Sequence, residues 1–216
     1  MTVVLVAIDG PAGSGKTTVA KEVAARLGLR HLDTGAMYRC LAYKLIKNHE
    51  HASDQDAVSA LLASTQITFV DDQVVLDGQI LDREIRTPDV SRAASEVAAV
   101  PSVRAWMVEK QRELMHLPPG SVAEGRDIGT VVAPDAQIKV FLTADPNTRA
   151  SRRAKESGQT EEDELEQVRQ RDSRDEQRDH SPLVAADDAI LIDSTKMQAS
   201  EVVEEIVALV KEKWSG

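Results

Sequence analysis

Residues 8–18 of this chain read Ile8-Asp9-Gly10-Pro11-Ala12-Gly13-Ser14-Gly15-Lys16-Thr17-Thr18. The stretch fits the pattern G-x-x-x-x-G-K-[ST], in which small residues let the backbone curl around phosphate groups and present N–H donors to their oxygens. Lys16 is predicted to reach the β- and γ-phosphates of a nucleoside triphosphate, and the Thr17 hydroxyl is predicted to bind Mg²⁺. The predicted ATP site comprises Gly10, Pro11, Ala12, Gly13, Ser14, Gly15, Lys16, Thr17 and Thr18.

The residues on either side of this loop predict a strand before it and a helix after it. Residues 2–8 form an almost unbroken β-branched and aliphatic run, which is typical of a parallel strand buried on both faces. From Lys16 to Leu27 apolar residues recur at helical spacing, and Gly28 follows as a stop signal. The helix N-terminus would add its positive dipole end to the anion site, which favours a ligand-binding loop over a simple glycine-rich turn.

Length and composition limit the class of protein. The 216 residues suit one domain, with room for a small insertion. The net charge of −10 argues against a general affinity for nucleic acid or for anionic membranes. The single cysteine, Cys40, excludes an internal disulfide and a zinc cluster, and the first apolar run is too short for a signal peptide or membrane anchor. We therefore expect a cytoplasmic protein without nucleic-acid or membrane partners.

A second strand and helix follow the first pair, and the residues at their junction have two interpretations. Asp33 and Thr34 would lie at the carboxyl end of a strand, which is the edge where open α/β sheets bind ligands. Asp33 could then accept hydrogen bonds from Mg²⁺-bound waters, and Arg39 could bind a second anion. Alternatively, Asp33 is only a helix N-cap and Arg39 a solvated helix charge. The spacing leaves both open.

The segment from residue 64 to residue 86 breaks the alternation of strand and helix. Three short apolar runs are separated by Asp71-Asp72-Gln73 and Asp77-Gly78, which predicts a three-stranded meander with two hairpin turns. Helical segments follow from Thr87 and from Pro101. A meander is foreign to a parallel α/β sheet and therefore indicates an inserted subdomain.

Charged residues cluster in the second half of the chain. The turn Gly125–Thr130 places Arg126 and Asp127 between glycines, which indicates close approach to a ligand, although a salt-bridged turn would look the same. Arginines recur from Arg149 to Arg178 on both sides of a polar break at residues 156–160. They could form a solvated helix laced by salt bridges or a lid that closes over a triphosphate.

Four motifs in this order resemble the bacterial cytidylate kinase family: residues 9–16, 32–39, 125–130 and 171–175. The resemblance covers essentially the whole chain. It implies an α/β fold of the three-layer P-loop type with a parallel five-stranded core sheet (residues 1–62 and 119–216). It further implies an inserted β-meander and helical subdomain that binds the nucleoside monophosphate (residues 63–118) and a short lid (about residues 152–165). The implied activity is Mg²⁺- and ATP-dependent phosphorylation of CMP and dCMP.

The resemblance also implies roles for individual side chains. Matched residue by residue, it assigns the acceptor phosphate to Thr34, Arg39, Arg126 and Arg178, the cytosine to Ser95, Arg104 and Asp127, and the sugar hydroxyls to Asp175. Asp127 can accept from the exocyclic amine of cytosine, whereas uracil carries a carbonyl there, so such a site discriminates against UMP. Family members often have Ser where this chain has Thr34, and the preference between CMP and dCMP stays open.

The predicted mechanism is direct in-line transfer of the γ-phosphoryl group. The acceptor oxygen is already anionic, so positioning and charge neutralisation suffice without a general base. The residues expected to be catalytic are Lys16, Arg126, Arg178, Arg153 and Arg171, with Thr17 and, through water, Asp33 at the metal. A P-loop kinase for another small acceptor and a non-catalytic ATP-binding switch are the alternatives. We expect a monomer.

Overall fold

A computed structural model describes residues 3–176 and 182–214 of the chain. In chain order, its strands and helices are β1 (Val4–Asp9), α1 (Lys16–Leu27), β2 (Arg30–Asp33), α2 (Thr34–Lys47), α3 (Gln55–Ala63), β3 (Ile67–Val70), β4 (Gln73–Leu76), β5 (Gln79–Ile80), α4 (Pro88–Val97), α5 (Pro101–Met115), β6 (Gly120–Gly125), β7 (Ile138–Thr143), α6 (Pro146–Ser157), α7 (Glu161–Glu176), β8 (Ile190–Asp193) and α8 (Ala199–Trp214). Residues 128–132 add one turn of π-helix, and residues 83–85 add a 3₁₀ turn.

The chain divides into two compact units. One comprises Met1–His31 and Met115–Gly216, and the other comprises Leu32–Leu114. The predicted division into a core and an insertion of residues 63–118 stays a prediction, because these units describe packing and not function.

A five-stranded sheet with the order β2-β6-β1-β7-β8 confirms the predicted fold class. All six residues of β1 are buried, as expected for a β-branched central strand, and β1 pairs in parallel with β6 and with β7. The core around it includes Val19 and Val23 from α1 and Ile206 and Val210 from α8. This packing holds the carboxyl end of β1, and therefore the loop that follows, in a fixed place.

The second unit contains the predicted meander. Strands β3, β4 and β5 form an antiparallel sheet, which confirms the prediction of two hairpins. Asp71 and Asp72 make the first turn with φ of 47° and 62°, values that Asp tolerates better than most residues because its short side chain bonds locally.

The predicted lid, about residues 152–165, comprises the end of α6, a short connection and the start of α7. Gly158 caps the C-terminus of α6 with φ of 73°, and its backbone N–H donates to the carbonyl oxygen of Ala154. Helix α7 begins at Glu161. Lid closure stays a prediction. Within residues 3–176 and 182–214, no helix combines the length and hydrophobicity that a membrane span requires.

Candidate active site

In the loop between β1 and α1, three glycines have a positive φ, and at two of them a Cβ would also clash with neighbouring backbone. Gly10 has φ of 150°, and a Cβ there would lie 2.0 Å from the carbonyl oxygen of Leu142. Gly13 has φ of 77°, and its Cβ would lie 2.8 Å from the carbonyl oxygen of Arg149. The loop therefore packs directly against β7 and α6. It ends at Gly15, where α1 has no side-chain cap, so backbone N–H groups at the start of α1 are available to an anion.

Lys16 lies inside this loop, and its ammonium is bound to the loop itself. Nζ donates to the carbonyl oxygen of Pro11 at 2.7 Å and to Ser14 Oγ at 3.4 Å, and the residue is 6% exposed. Burial, together with the positive charge of Arg126, lowers the pKa of Lys16 to about 7. A phosphate oxygen would supply the negative charge that this buried ammonium needs.

Thr17 is exposed, and its hydroxyl is hydrogen-bonded to a buried pair of side chains. Its Oγ1 donates to Glu124 Oε2 at 2.9 Å, and Glu124 Oε1 lies 3.0 Å from His31 Nε2. Glu124 and His31 are 4% and 5% exposed. Mg²⁺ takes hard oxygen ligands and is bound by one or two protein groups together with substrate phosphates. The hydroxyl and the carboxylate fit such an ion, whereas the described residues contain no cluster of three or more His, Cys, Asp or Glu that would bind a metal alone.

Positive side chains crowd together in the first unit. Arg126 Nε donates to Asp175 Oδ2 at 2.7 Å. Burial lowers the pKa of Arg171 to about 10, and the positive charges of Arg153 and Arg126 contribute. Arg126 also lowers the pKa of Lys16, so it lies near enough to both Lys16 and Arg171 to disfavour their charged forms. A phosphate group bound among them would relieve that repulsion.

The arginines of α6 have individual partners. Arg149 is 4% exposed and forms a two-pronged ion pair with Asp172, at 3.0 and 2.7 Å. Arg153 Nε donates to Glu164 Oε2 at 2.7 Å. Both pairs join α6 to α7 and lie largely out of solvent, so these two arginines are not the solvated charges of the first interpretation. Arg152 donates instead to the carbonyl oxygen of Ser14 at 3.3 Å, which places it beside the phosphate loop.

The turn Gly125–Thr130 is anchored to β1 through Asp9. Asp9 Oδ1 accepts from the N–H of Ile128 at 2.8 Å, and Oδ2 accepts from the N–H of Gly129 at 2.7 Å. Burial raises the pKa of Asp9 to about 6, and these two donors oppose the rise. Within the turn, Asp127 is buried and Arg126 forms its ion pair with Asp175. The turn and the phosphate loop are thus fixed to the same strand.

In the second unit, Asp33 and Arg39 form a pair. Asp33 Oδ1 accepts from the N–H of Ala36 at 2.8 Å, so Asp33 is the N-cap of α2. Its Oδ2 accepts from Arg39 at 2.9 Å. The N-cap role of Asp33 is therefore confirmed, whereas Arg39 is ion-paired and 22% exposed and is not the solvated helix charge of that interpretation. A role of Asp33 in binding Mg²⁺-bound water stays a prediction. Arg39 Nε is buried without a hydrogen-bond partner among the described residues, and this donor suits an anionic ligand. Thr34 begins α2 and is buried.

The residues assigned to the base lie on α4 and α5, with one exception. Ser95 is partly buried on α4, and its Oγ lies 3.4 Å from the carbonyl oxygen of Ser91. Arg104 on α5 is 6% exposed and donates to Tyr38 Oη and to the carbonyl oxygen of Ala98, both at 3.3 Å. Asp127 belongs to the first unit. Arg178, assigned to the acceptor phosphate, lies outside the described residues.

Comparison with known proteins identifies the family. The model of the cytidylate kinase family matches residues 6–212. The chain belongs to the cytidylate kinase family. A cytidylate kinase of Alkaliphilus metalliredigens is 43% identical over 221 residues, spanning 100% of both chains. One from Mycobacterium leprae is 43% identical and spans 99% of this chain and 98% of its own.

Solved structures agree with this family assignment at the level of fold. An uncharacterised protein from Eubacterium ventriosum aligns with a TM-score of 0.56 at 16% identity, over 98% of this chain and 99% of its own. Shikimate kinase from Bacteroides thetaiotaomicron aligns with a TM-score of 0.50 at 14% identity, over 97% and 99%. At such identities the likeness concerns the fold alone.

Three residues of this cytidylate kinase family member had no predicted role, yet in the structure they contact residues of the predicted site. Glu124 and His31 support Thr17, and Asp9 supports the turn Gly125–Thr130. Glu124 and Asp9 could have been found from one signal, because each is an acidic residue at the carboxyl end of a strand beside the phosphate loop. No comparable signal marked His31.

Proposed function

We propose that this chain phosphorylates CMP and dCMP with ATP as the phosphoryl donor. The observation that carries the proposal is the match to the cytidylate kinase family over residues 6–212. The cluster of Lys16, Arg126, Arg153 and Arg171 supports it, since phosphoryl transfer depends on cations that neutralise charge on the transferred group.

On the donor side, the phosphate loop holds the triphosphate. Backbone N–H groups of residues 12–18 surround the phosphates, and Lys16 exchanges the carbonyl oxygen of Pro11 for a phosphate oxygen. Thr17 and Glu124 would hold Mg²⁺, which when bound neutralises charge on the β- and γ-phosphates. Asp33, through water, is a further proposed metal contact.

On the acceptor side, we assign the phosphate of CMP to Thr34, Arg39, Arg126 and Arg178. Asp127 accepts from the exocyclic amine of cytosine, Arg104 donates to its ring nitrogen and carbonyl oxygen, and Ser95 completes the base site. Asp175 binds the sugar hydroxyls and also orients Arg126 through their ion pair. The side chains hold an oxygen of the acceptor phosphate in line with the γ-phosphorus, and Arg153 and Arg171 stabilise the charge that develops during transfer.

The test is an ADP-release assay with ATP and a panel of acceptors: CMP, dCMP, UMP, AMP, GMP and shikimate. Selective turnover of CMP and dCMP is expected. Preferential use of another acceptor would favour the alternative of a different small-molecule kinase, and tight ATP binding without ADP release would favour a nucleotide-binding switch. We also propose that the protein is cytoplasmic and monomeric. Light scattering of the purified protein with and without nucleotides tests the oligomeric state.

A further inference from the structure

Asp9 connects the two loops on which the proposed reaction depends. It is the last residue of β1 and immediately precedes Gly10 of the phosphate loop. Its side chain, 5% exposed, accepts from two successive backbone N–H groups, those of Ile128 and Gly129, at 2.8 and 2.7 Å. Among the residues of β1, Val4–Asp9, only Asp9 has a charged side chain.

The two N–H groups belong to the residues that directly follow Asp127. The carbonyl oxygen of Asp127 accepts from the N–H groups of Val131 and Val132, at 2.9 and 3.1 Å, so the turn of π-helix holds Asp127 from its other side. Single π-turns are uncommon and occur often at functional sites. Asp9 caps this turn, and the backbone position of Asp127 depends on both sets of bonds.

The surroundings leave little freedom for another arrangement. A Cβ added to Gly129 would lie 3.3 Å from Lys139 Cδ and 3.4 Å from Asp9 Oδ2. The ammonium of Lys139 does not neutralise Asp9, because it is bound by both carboxylate oxygens of Asp188 at 2.9 Å. The charges that act on Asp9 are those of Asp127, which repels it, and of Lys16, which attracts it. A carboxylate with two acceptor oxygens is therefore matched to two buried donors.

We propose that Asp9 is a positioning residue for base recognition, which holds Asp127 in place through the backbone of Ile128 and Gly129. The inference rests on the proposed function, because it gives Asp127 the task of distinguishing cytosine from uracil. Asp9 does not touch either nucleotide. It keeps the base-reading carboxylate in register with the loop that holds the triphosphate.

The Asp9→Asn variant tests this role. Asn keeps the size of the side chain but offers one acceptor oxygen, so an N–H of Ile128 or Gly129 then faces the amide NH₂. We expect kcat/KM for CMP to fall about tenfold or more, and kcat/KM for UMP to fall much less, so that the CMP-to-UMP ratio decreases. The matched control is Asp54→Asn, because Asp54 also accepts from two backbone N–H groups, at 3.1 and 3.0 Å, at the exposed start of α3. It should leave the ratio unchanged.

A double-mutant cycle separates positioning from general damage. If Asp9 acts through Asp127, Asp9→Asn should lower the CMP-to-UMP ratio in the wild type but not in an Asp127→Asn background. Hydrogen exchange of the segment 126–133 should be faster in Asp9→Asn. If Asp9→Asn is too unstable to assay, Gly129→Ala should lower the same ratio, because its methyl group would lie 3.3 Å from Lys139 Cδ and 3.4 Å from Asp9 Oδ2 beside the N–H that Asp9 binds. A wild type without preference for CMP would contradict the proposed function and the inference together. A preference that Asp9→Asn and Gly129→Ala leave intact would overturn the role of Asp9 alone.

Discussion

Lys16 Nζ lies 2.7 Å from the carbonyl oxygen of Pro11 in the phosphate loop. When a triphosphate binds, the ammonium is expected to exchange this oxygen for a phosphate oxygen. The loop backbone thus supplies a hydrogen-bond acceptor for the Lys16 ammonium, although burial lowers the pKa of Lys16. This relationship leads to two predictions about Lys16.

Lys16→Ala should lower kcat with ATP and CMP roughly a thousandfold or more, because removal of a transition-state cation in phosphoryl transfer has effects of about 10³–10⁵. The rate is measured by ADP release at saturating concentrations of both substrates. CMP binding to the variant, followed by calorimetry, serves as the control and should change little. Near-normal turnover would remove Lys16 from the catalytic residues.

ATP binding should be coupled to proton uptake. The pKa of Lys16 is about 7 in the free protein, so at pH 8 most molecules have a neutral Lys16. Triphosphate favours the ammonium and raises its pKa, so binding at pH 8 should take up between about half and one proton, and ATP affinity should weaken as the pH rises from 6 to 9. Calorimetry in buffers of different ionisation enthalpy measures the uptake. Proton release on binding, or an ATP affinity that increases with pH, would contradict this prediction.

Local sequence determined the parts of the fold and site that depend on neighbours along the chain. The phosphate loop, the first strand and helix, and the meander with its two turns could all be predicted, because hydrophobic period and glycine or aspartate placement act within a few residues. Helix α3 was not predicted. Its start was signalled by Asp54, whose carboxylate caps the first turn, but the segment is short and weakly periodic.

Contacts between distant segments could not be predicted in the same way. Glu124 contacts Thr17 and His31 because β6 lies between β1 and β2 in the sheet, and no local sequence pattern indicates that strand order. The arginines of α6 look alike in sequence, yet Arg149 is buried against Asp172 and Arg152 reaches Ser14. The partner that each arginine binds depends on the packing of α6 against α7 and the phosphate loop.

Gly10→Ala should be far more destabilising than Gly28→Ala. Both glycines have positive φ, but a Cβ at Gly10 would meet the carbonyl oxygen of Leu142 at 2.0 Å, whereas a Cβ at Gly28 would meet nothing within 4 Å. We expect Gly28→Ala to lower the free energy of unfolding by about 1 kcal/mol and Gly10→Ala by about 3 kcal/mol or more. Urea unfolding followed by circular dichroism gives both values. Equal losses would mean that the backbone at Gly10 moves away from β7 without cost.

Glu124→Gln should weaken the binding of the metal that Thr17 is predicted to bind. Gln preserves the size of the side chain and an acceptor for Thr17 Oγ1, but it removes the buried negative charge. The Mg²⁺ concentration for half-maximal rate should therefore rise about tenfold or more, as found for residues that orient metal ligands. A second readout does not require turnover: Mg²⁺ should strengthen ADP binding less in the variant than in the wild type. Glu113→Gln, at an exposed position paired with Lys110, is the matched control and should behave as wild type in both measurements. If Glu124→Gln and Glu113→Gln give the same Mg²⁺ titration, Glu124 supports Thr17 only as a structural neighbour, and the metal is bound without it.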